Sequence, residues 1–341
     1  MKSMRNEDIL SIYKKDIPAF LVESLLSPAM KRIEHVGMHC GMEYTSLPIY
    51  KDLAPYSRGF HSLGVALITY RFTKDRKQAL AGLFHDIATP CFSHVIDFLH
   101  HDYKTQESTE EKTTSIIKND PLIPVLLKRY QLSIEDVDNY HLYPIADNDS
   151  PRLSADRLEY TLSNFLNFSL TDYETVRKFY DNLTITKNEE GEDELAFLDE
   201  DVASAFTLLT LKTSRFYISD EDRFGMEILS RILKAAINRN TITEDDLYTE
   251  EPFLIDKLKK DSLFVSDFNR FKSMDHILVS DTEKEGYFKV SSKKRYINPL
   301  VINKGRIKDI SPFARKAIDE YLSFSFERYL SIEDIDQYSF N

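Results

Sequence analysis

Two histidines and an aspartate carry the first chemical signal in this chain of 341 residues. His61 opens one apolar stretch, and His85 with Asp86 closes the next, 24 positions further on. Adjacent His85 and Asp86 cannot both belong to one apolar helix face, because successive side chains point about 100° apart. Imidazole nitrogen and carboxylate oxygen suit a borderline divalent ion such as Mn, Fe, Co, Ni or Zn. A second pair, His94 and Asp97, is spaced by one helical turn, so the carboxylate can orient the imidazole for proton transfer. The plainer alternative is a packed histidine beside a solvated acid.

The surrounding pattern explains how these groups could meet. Apolar positions 63, 67, 68 and 72 have helical spacing, "TKDR" turns the chain, and a second helix runs to His85 through Ala79, Leu80, Leu83 and Phe84. Two antiparallel helices on a short turn bring the start of the first beside the end of the second, so His61 and His85 converge. Asp86 joins them because the helix is ending there, with Pro90 just beyond. A third helix is expected over 92–101, and an amphipathic one over 154–168 carries Leu158, Leu162, Phe165 and Leu166. Taken alone, Asp156 at the start of that helix reads as a cap or as a partner of the helix dipole.

Further helices are expected within 5–36, near 107–118, 121–130 and 134–139, over 200–239 and over 311–330. Residues 183–198 read as a β-hairpin, and 275–281 and 286–302 as strand-like. The weak linker signal lies at 240–262. Only nine glycines and twelve prolines favour helices with short connections over a many-turned β protein.

A net charge of −12 argues against a general nucleic-acid binder but leaves room for a small anionic ligand held by a few local cations. Cys40 and Cys91 offer no disulfide framework. With no apolar leader and no long apolar run, a cytoplasmic protein without a membrane segment is expected. His100, His101, His141 and His276 read as solvent-facing, and His35 as a helix-surface residue.

The motifs "RGFHSLGVA", "LAGLFHDIATPCFSH" and "SADRLEY" together resemble the HD superfamily of metal-dependent phosphohydrolases, specifically its deoxynucleoside triphosphate triphosphohydrolase branch. "KKRYINPLV" near residue 300 is similar to a basic-aromatic-proline segment of the same branch, so the resemblance covers about residues 25 to 303. It implies a mainly α fold: a helical domain over 1–240 with its metal site within 58–160 and a small β-hairpin, and an α+β extension over 241–341. It implies one divalent ion (Mn, Fe, Co, Ni, Zn or Mg) held by His61, His85, Asp86 and, as the fourth ligand, Asp156. His94 and Asp97 correspond to the catalytic dyad, Arg58 to a phosphate contact, and Arg157 and Tyr160 to triphosphate and sugar contacts. His39 and Tyr44, in the irregular loop before Arg58, are further candidates for the pocket. The expected partners are a small phosphorylated substrate, a nucleotide foremost, and further copies of the chain.

The chain also departs from the branch. Ala88 replaces a glycine after the His-Asp pair, Thr89 follows at a variable position, and Gln106 with Glu107 stands where a histidine-glutamate pair is usual. Glu159 takes the second acidic position of the "DRLEY" helix. The competing readings are a nucleotide- and metal-binding regulatory module with little turnover, a two-ion enzyme using His100, His101 or His141, and a helical scaffold with incidental histidines.

Overall fold

The computed structural model describes residues 6–13, 16–99 and 112–340, so the expectations at His100, His101, Gln106 and Glu107 lie outside the described residues. The fold is mainly α, with 16 α-helices among the described residues and only short strands.

The site rests on two consecutive helices. Ser57 caps Arg58–Thr73 by accepting from the Phe60 amide, and Lys74 ends it in the left-handed region at φ 56°. Asp75 at once caps Arg76–Phe84 through the Lys77 amide. A left-handed residue followed by a capping acid folds the second helix back on the first, and the His61 and His85 rings finish 5.0 Å apart. The Ala155–Asn167 helix packs against Arg58–Thr73, burying Leu158, Leu162, Phe165 and Leu166 as their spacing predicts. The approach is close: a Cβ on Gly64 would lie 2.5 Å from Cγ of Glu159.

The expected hairpin pairs Leu183–Lys187 with Asp193–Phe197 in antiparallel register, Leu183 opposite Phe197. Leu300–Val301 adds in parallel to the second strand and Gly305–Arg306 closes this sheet. A second sheet sets Tyr329–Ser331 between Leu278–Ser280 and Phe288–Lys289. One apolar core lies under the site helices and the first sheet. Another joins Val95 and Ile96 to residues from the last third, among them Leu229, Val290 and Leu330.

Five elements differ from the expected pattern. The 286–302 stretch is strand only at Phe288–Lys289 and Leu300–Val301, which join different sheets. The third helix begins only at Val95, because Phe92 and Ser93 sit at φ 61° and 52°, which no right-handed helix can include. Residues 134–139 form a turn rather than a helix, with Val137 and Asp138 amides donating to the Ile134 carbonyl. The helix of the tail stops at Leu322, since alternating Phe324 and Phe326 pack on Ile318 and Tyr321, and Tyr329–Ser331 is strand. The 240–262 stretch carries the helix Glu251–Leu258, with Glu251, Leu254 and Leu258 buried. Among the described residues no helix is long and apolar enough to cross a membrane.

Candidate metal centre

His61 lies one turn into its helix, His85 caps the end of the next, and Asp86 follows as the chain turns away. Ser154, not Asp156, caps the Ala155–Asn167 helix by accepting from the Arg157 amide. Asp156 is thereby released from capping and turns toward the histidines.

Nε2 of His61 is 3.2 Å from Nε2 of His85 and 3.0 Å from Oδ1 of Asp156. Oδ2 of Asp86 is 3.5 Å from Nε2 of His85 and 3.9 Å from Nε2 of His61, and Oδ1 of Asp156 is 3.8 Å from Nε2 of His85. Ligands at roughly 2.1 Å from one ion stand about 3.0–3.4 Å apart at right-angled to tetrahedral spacing, so the donor set fits a divalent cation with small adjustments.

Both imidazoles are turned the right way by bonds on their far nitrogens. His85 donates from Nδ1 to the Gly82 carbonyl at 2.7 Å. His61 faces Glu159 with Nδ1, and Oε2 of Glu159 lies 2.5 Å away. With the far nitrogen carrying the proton, each Nε2 would be free to offer its lone pair to an ion, and the bond behind it would strengthen its basicity. Glu159 is fully buried and is itself held by the Tyr56 hydroxyl at 2.5 Å and the Ser163 hydroxyl at 2.6 Å.

The electrostatics call for positive charge here. Burial works against a charged His61, yet the hydrogen bonds it donates to Asp156 and Glu159 lift its pKa to about 10. Burial likewise opposes ionisation of Asp86, but Arg58 first, then His85 and His61, hold its carboxyl well below the usual range. A divalent cation would supply that charge and would compete with the proton on His61.

The four donors open into a cavity of about 660 Å³, whose wall includes His94, Tyr160 and residues 293–296 of the basic segment. His94 bonds through Nδ1 to buried Asp97 at 2.9 Å, freeing Nε2. Burial pulls the His94 pKa below 6.5 while Asp97 opposes that fall, so the ring is neutral near pH 7.

Two of the expected substrate contacts are already engaged within the protein. Arg58 donates to Asp86 at 2.9 Å and to Ser93 at 3.0 Å. Arg157 pairs with Asp147 at 3.1 Å and donates to the Arg152 carbonyl at 2.7 Å, tying down the 147–152 loop. Tyr160 and His39 line the cavity, whereas Tyr44 donates its hydroxyl to Glu251 at 2.8 Å. His141 stands on the cavity wall, half-exposed and 2.9 Å from Asp147.

No family model matches the chain. It is 23% identical over 244 residues to the uncharacterized protein YdhJ of Bacillus subtilis, across 71% of this chain and 73% of that one. It is 28% identical over 191 residues to a Cordyceps militaris protein named metal-dependent phosphohydrolase cns2. That match covers 55% of this chain and 52% of the fungal protein, about half its length. The chain is similar to a metal-dependent phosphohydrolase. A hypothetical protein from Aquifex aeolicus, known from its crystal structure, shares the fold at a TM-score of 0.60 and 20% identity over 93% of both chains.

Glu159 was hidden in the sequence because an acid three positions after Asp156 looks like the solvent face of an amphipathic helix. The available signal was its neighbourhood: a glutamate next to Leu158 and one turn before Leu162 and Ser163 on a helix buried along nearly its whole length. Glu251 was equally hidden, inside an acidic stretch that reads as linker. It accepts from the amides of Gly37 at 2.9 Å and Phe92 at 3.0 Å, joining the segments of chain on either side of the site.

Proposed function

We propose that this chain is a metal-dependent phosphohydrolase of the HD type, cleaving a phosphoester or phosphoanhydride bond in a nucleotide-sized substrate, with deoxynucleoside triphosphates first among the candidates. One observation carries the reading: four donor atoms converge within 3.0–3.9 Å of one another in five of their pairings, on the same cavity as His94, which buried Asp97 backs.

His61, His85, Asp86 and Asp156 would hold a divalent cation, which would supply polarisation of a phosphoryl oxygen and a lowered pKa of bound water. His94, neutral and on the cavity wall with Nδ1 held by Asp97, accepts the proton of the attacking water and returns it to the departing oxygen. Asp97 stabilises the imidazolium between those steps. Arg58 holds Asp86 in place and adds positive potential beside the phosphate, and Glu159 keeps the His61 lone pair aimed at the ion. The 293–296 segment adds lysine and arginine to the cavity wall, which offsets the overall acidity of the chain for an anionic substrate.

The test is release of phosphate, pyrophosphate or triphosphate from a panel of nucleotides with Mn, Fe, Co, Ni, Zn and Mg, beside a His94→Ala control. Turnover with at least one metal, lost in the control, is expected; binding without turnover under every condition overturns the reading. That outcome is the one a regulatory nucleotide-holding module predicts, and the engagement of Arg58 with Asp86 and of Arg157 with Asp147 favours this second reading.

A further inference from the structure

The carboxylate behind His61 has a partner 146 positions away in the chain. The helix Asn6–Tyr13 packs on Arg58–Thr73 and on Tyr173–Asp181, with Ile9, Ile12 and Tyr13 buried. Residues three and four apart share a helix face, so these three explain why the helix docks. They do not explain a hydroxyl at the deepest point of that contact. Tyr13 is 1% exposed, and a phenol buried so fully needs a partner for its O–H. It finds one in Oε1 of Glu159, 3.4 Å away. Burial, and after it the Glu159 charge, hold the phenol well above its ordinary pKa of 10, so it keeps the proton it donates.

The carboxylate of Glu159 is gripped on both oxygens. Oε2 accepts from Nδ1 of His61 and from the Tyr56 hydroxyl, each at 2.5 Å. Oε1 accepts from the Ser163 hydroxyl at 2.6 Å and from Tyr13. The last torsion of a glutamate is broad, so the chain alone does not set the plane of the carboxylate and its partners must. Ser163 lies one turn further along the same helix and moves with Glu159. Tyr56 shares an oxygen with His61. Of these donors, only Tyr13 pins Oε1 from outside the helix that carries Glu159.

We propose that Tyr13 is a positioning residue of the metal centre: its hydroxyl, brought in by the Asn6–Tyr13 helix, fixes the plane of the Glu159 carboxylate and through it the aim of His61. The helix is then a working part of the ion site rather than a cover for the core. The proposal rests on the four-donor site described above and extends it to a residue that touches neither the cavity nor the donors.

The experiment compares Tyr13→Phe with wild type in two quantities: Mn²⁺ affinity by competition with a chelator, and, without metal, the solvent exchange rate of the His61 Nδ1 proton by NMR. Phenylalanine keeps the ring that packs 5.3 Å from Tyr180 and removes the hydroxyl alone. Affinity should fall by about threefold to tenfold, a part of the roughly 10–100-fold that loss of the whole carboxylate costs. The Nδ1 proton should exchange faster. In a Glu159→Gln background the same change should alter affinity by less than about twofold, because the hydroxyl acts through that carboxylate. Ile9→Val loosens the same helix with the hydroxyl in place, and should lower Tm with Mn²⁺ affinity unchanged. Either quantity left unchanged in Tyr13→Phe overturns the proposal. So does an equal loss of affinity in the Glu159→Gln background or in Ile9→Val, which would assign the effect to general loosening. Mn²⁺ held equally well by wild type and Tyr13→Phe sinks this proposal alone, whereas a wild type that binds no Mn²⁺ sinks the ion site with it.

Discussion

Oε2 of Glu159 lies 2.5 Å from Nδ1 of His61, and no part of Glu159 reaches solvent. A carboxylate behind a ligating histidine fixes the tautomer and raises the basicity of the nitrogen facing the ion, and its loss commonly costs about 10–100-fold in metal affinity. Glu159→Gln should therefore weaken Mn²⁺ binding by about that factor, read by competition with a chelator. Unchanged affinity would show that Glu159 serves packing alone.

His61→Ala and Asp156→Ala each remove one donor. Metal content after dialysis against limiting metal should fall in both, with secondary structure retained by circular dichroism. Stripping the ion from wild type with a chelator should also lower Tm, since a ligand at 100 times its Kd stabilises the folded state by about 2.7 kcal/mol. Full metal content in both variants removes the four-ligand site.

The acid limb of kcat/KM should lie below pH 6.5, because burial depresses the His94 pKa and its neutral form is the base. Asp97 opposes that depression, so Asp97→Asn should move the limb to still lower pH while reducing kcat. A limb above pH 6.5, or one that does not respond to Asp97, would assign the proton transfer to another group.

A second buried pair sets a pH dependence of stability. Burial, then the neighbouring Glu251, lifts Glu43 from 4.5 to about 8, and burial also raises Glu251. Between these values the folded state binds protons that the unfolded chain has already lost. Stability from this source is complete below about pH 4.5 and disappears as pH rises through 8. Tm should thus fall on going from pH 5 to pH 8, and Glu43→Gln, permanently neutral, should flatten that fall. An equally steep profile in the variant would refute it.

Removing Glu251 acts differently. Glu251→Ala leaves the part-buried Gly37 amide and the buried Phe92 amide without their acceptor, at a cost of about 1–3 kcal/mol for each that water cannot reach. The expected result is a lower Tm together with a lower kcat, because Phe92 and Ser93 hold left-handed backbone just before His94. A loss of Tm with kcat intact would limit Glu251 to stability.

The donors that sit at helix starts and ends were legible in the sequence, because the turn at 73–76 forces their convergence. Asp156 was legible only through its resemblance, since its own position reads equally well as a cap; Ser154 takes that task. Other features were set by tertiary packing that local pattern does not record. Phe92 and Ser93 adopt a backbone that neither residue type announces, and it shortens the expected helix. Asp222 sits in "DEDRF", an acidic helix start that reads as solvated, yet the cavity wall closes over it. Arg58 and Arg157 were recognisable as cations, but not as the partners of Asp86 and Asp147.

The closeness of Glu159 to Gly64 ties two positions 95 residues apart into a single inherited unit. Alanine at 64 requires retreat of the acid behind His61, and aspartate at 159 makes room for alanine but falls short of the imidazole. Descendants of this chain should therefore exchange the two residues together or not at all, which gives aligned relatives a covarying mark of this centre that survives even where the flanking motifs have drifted.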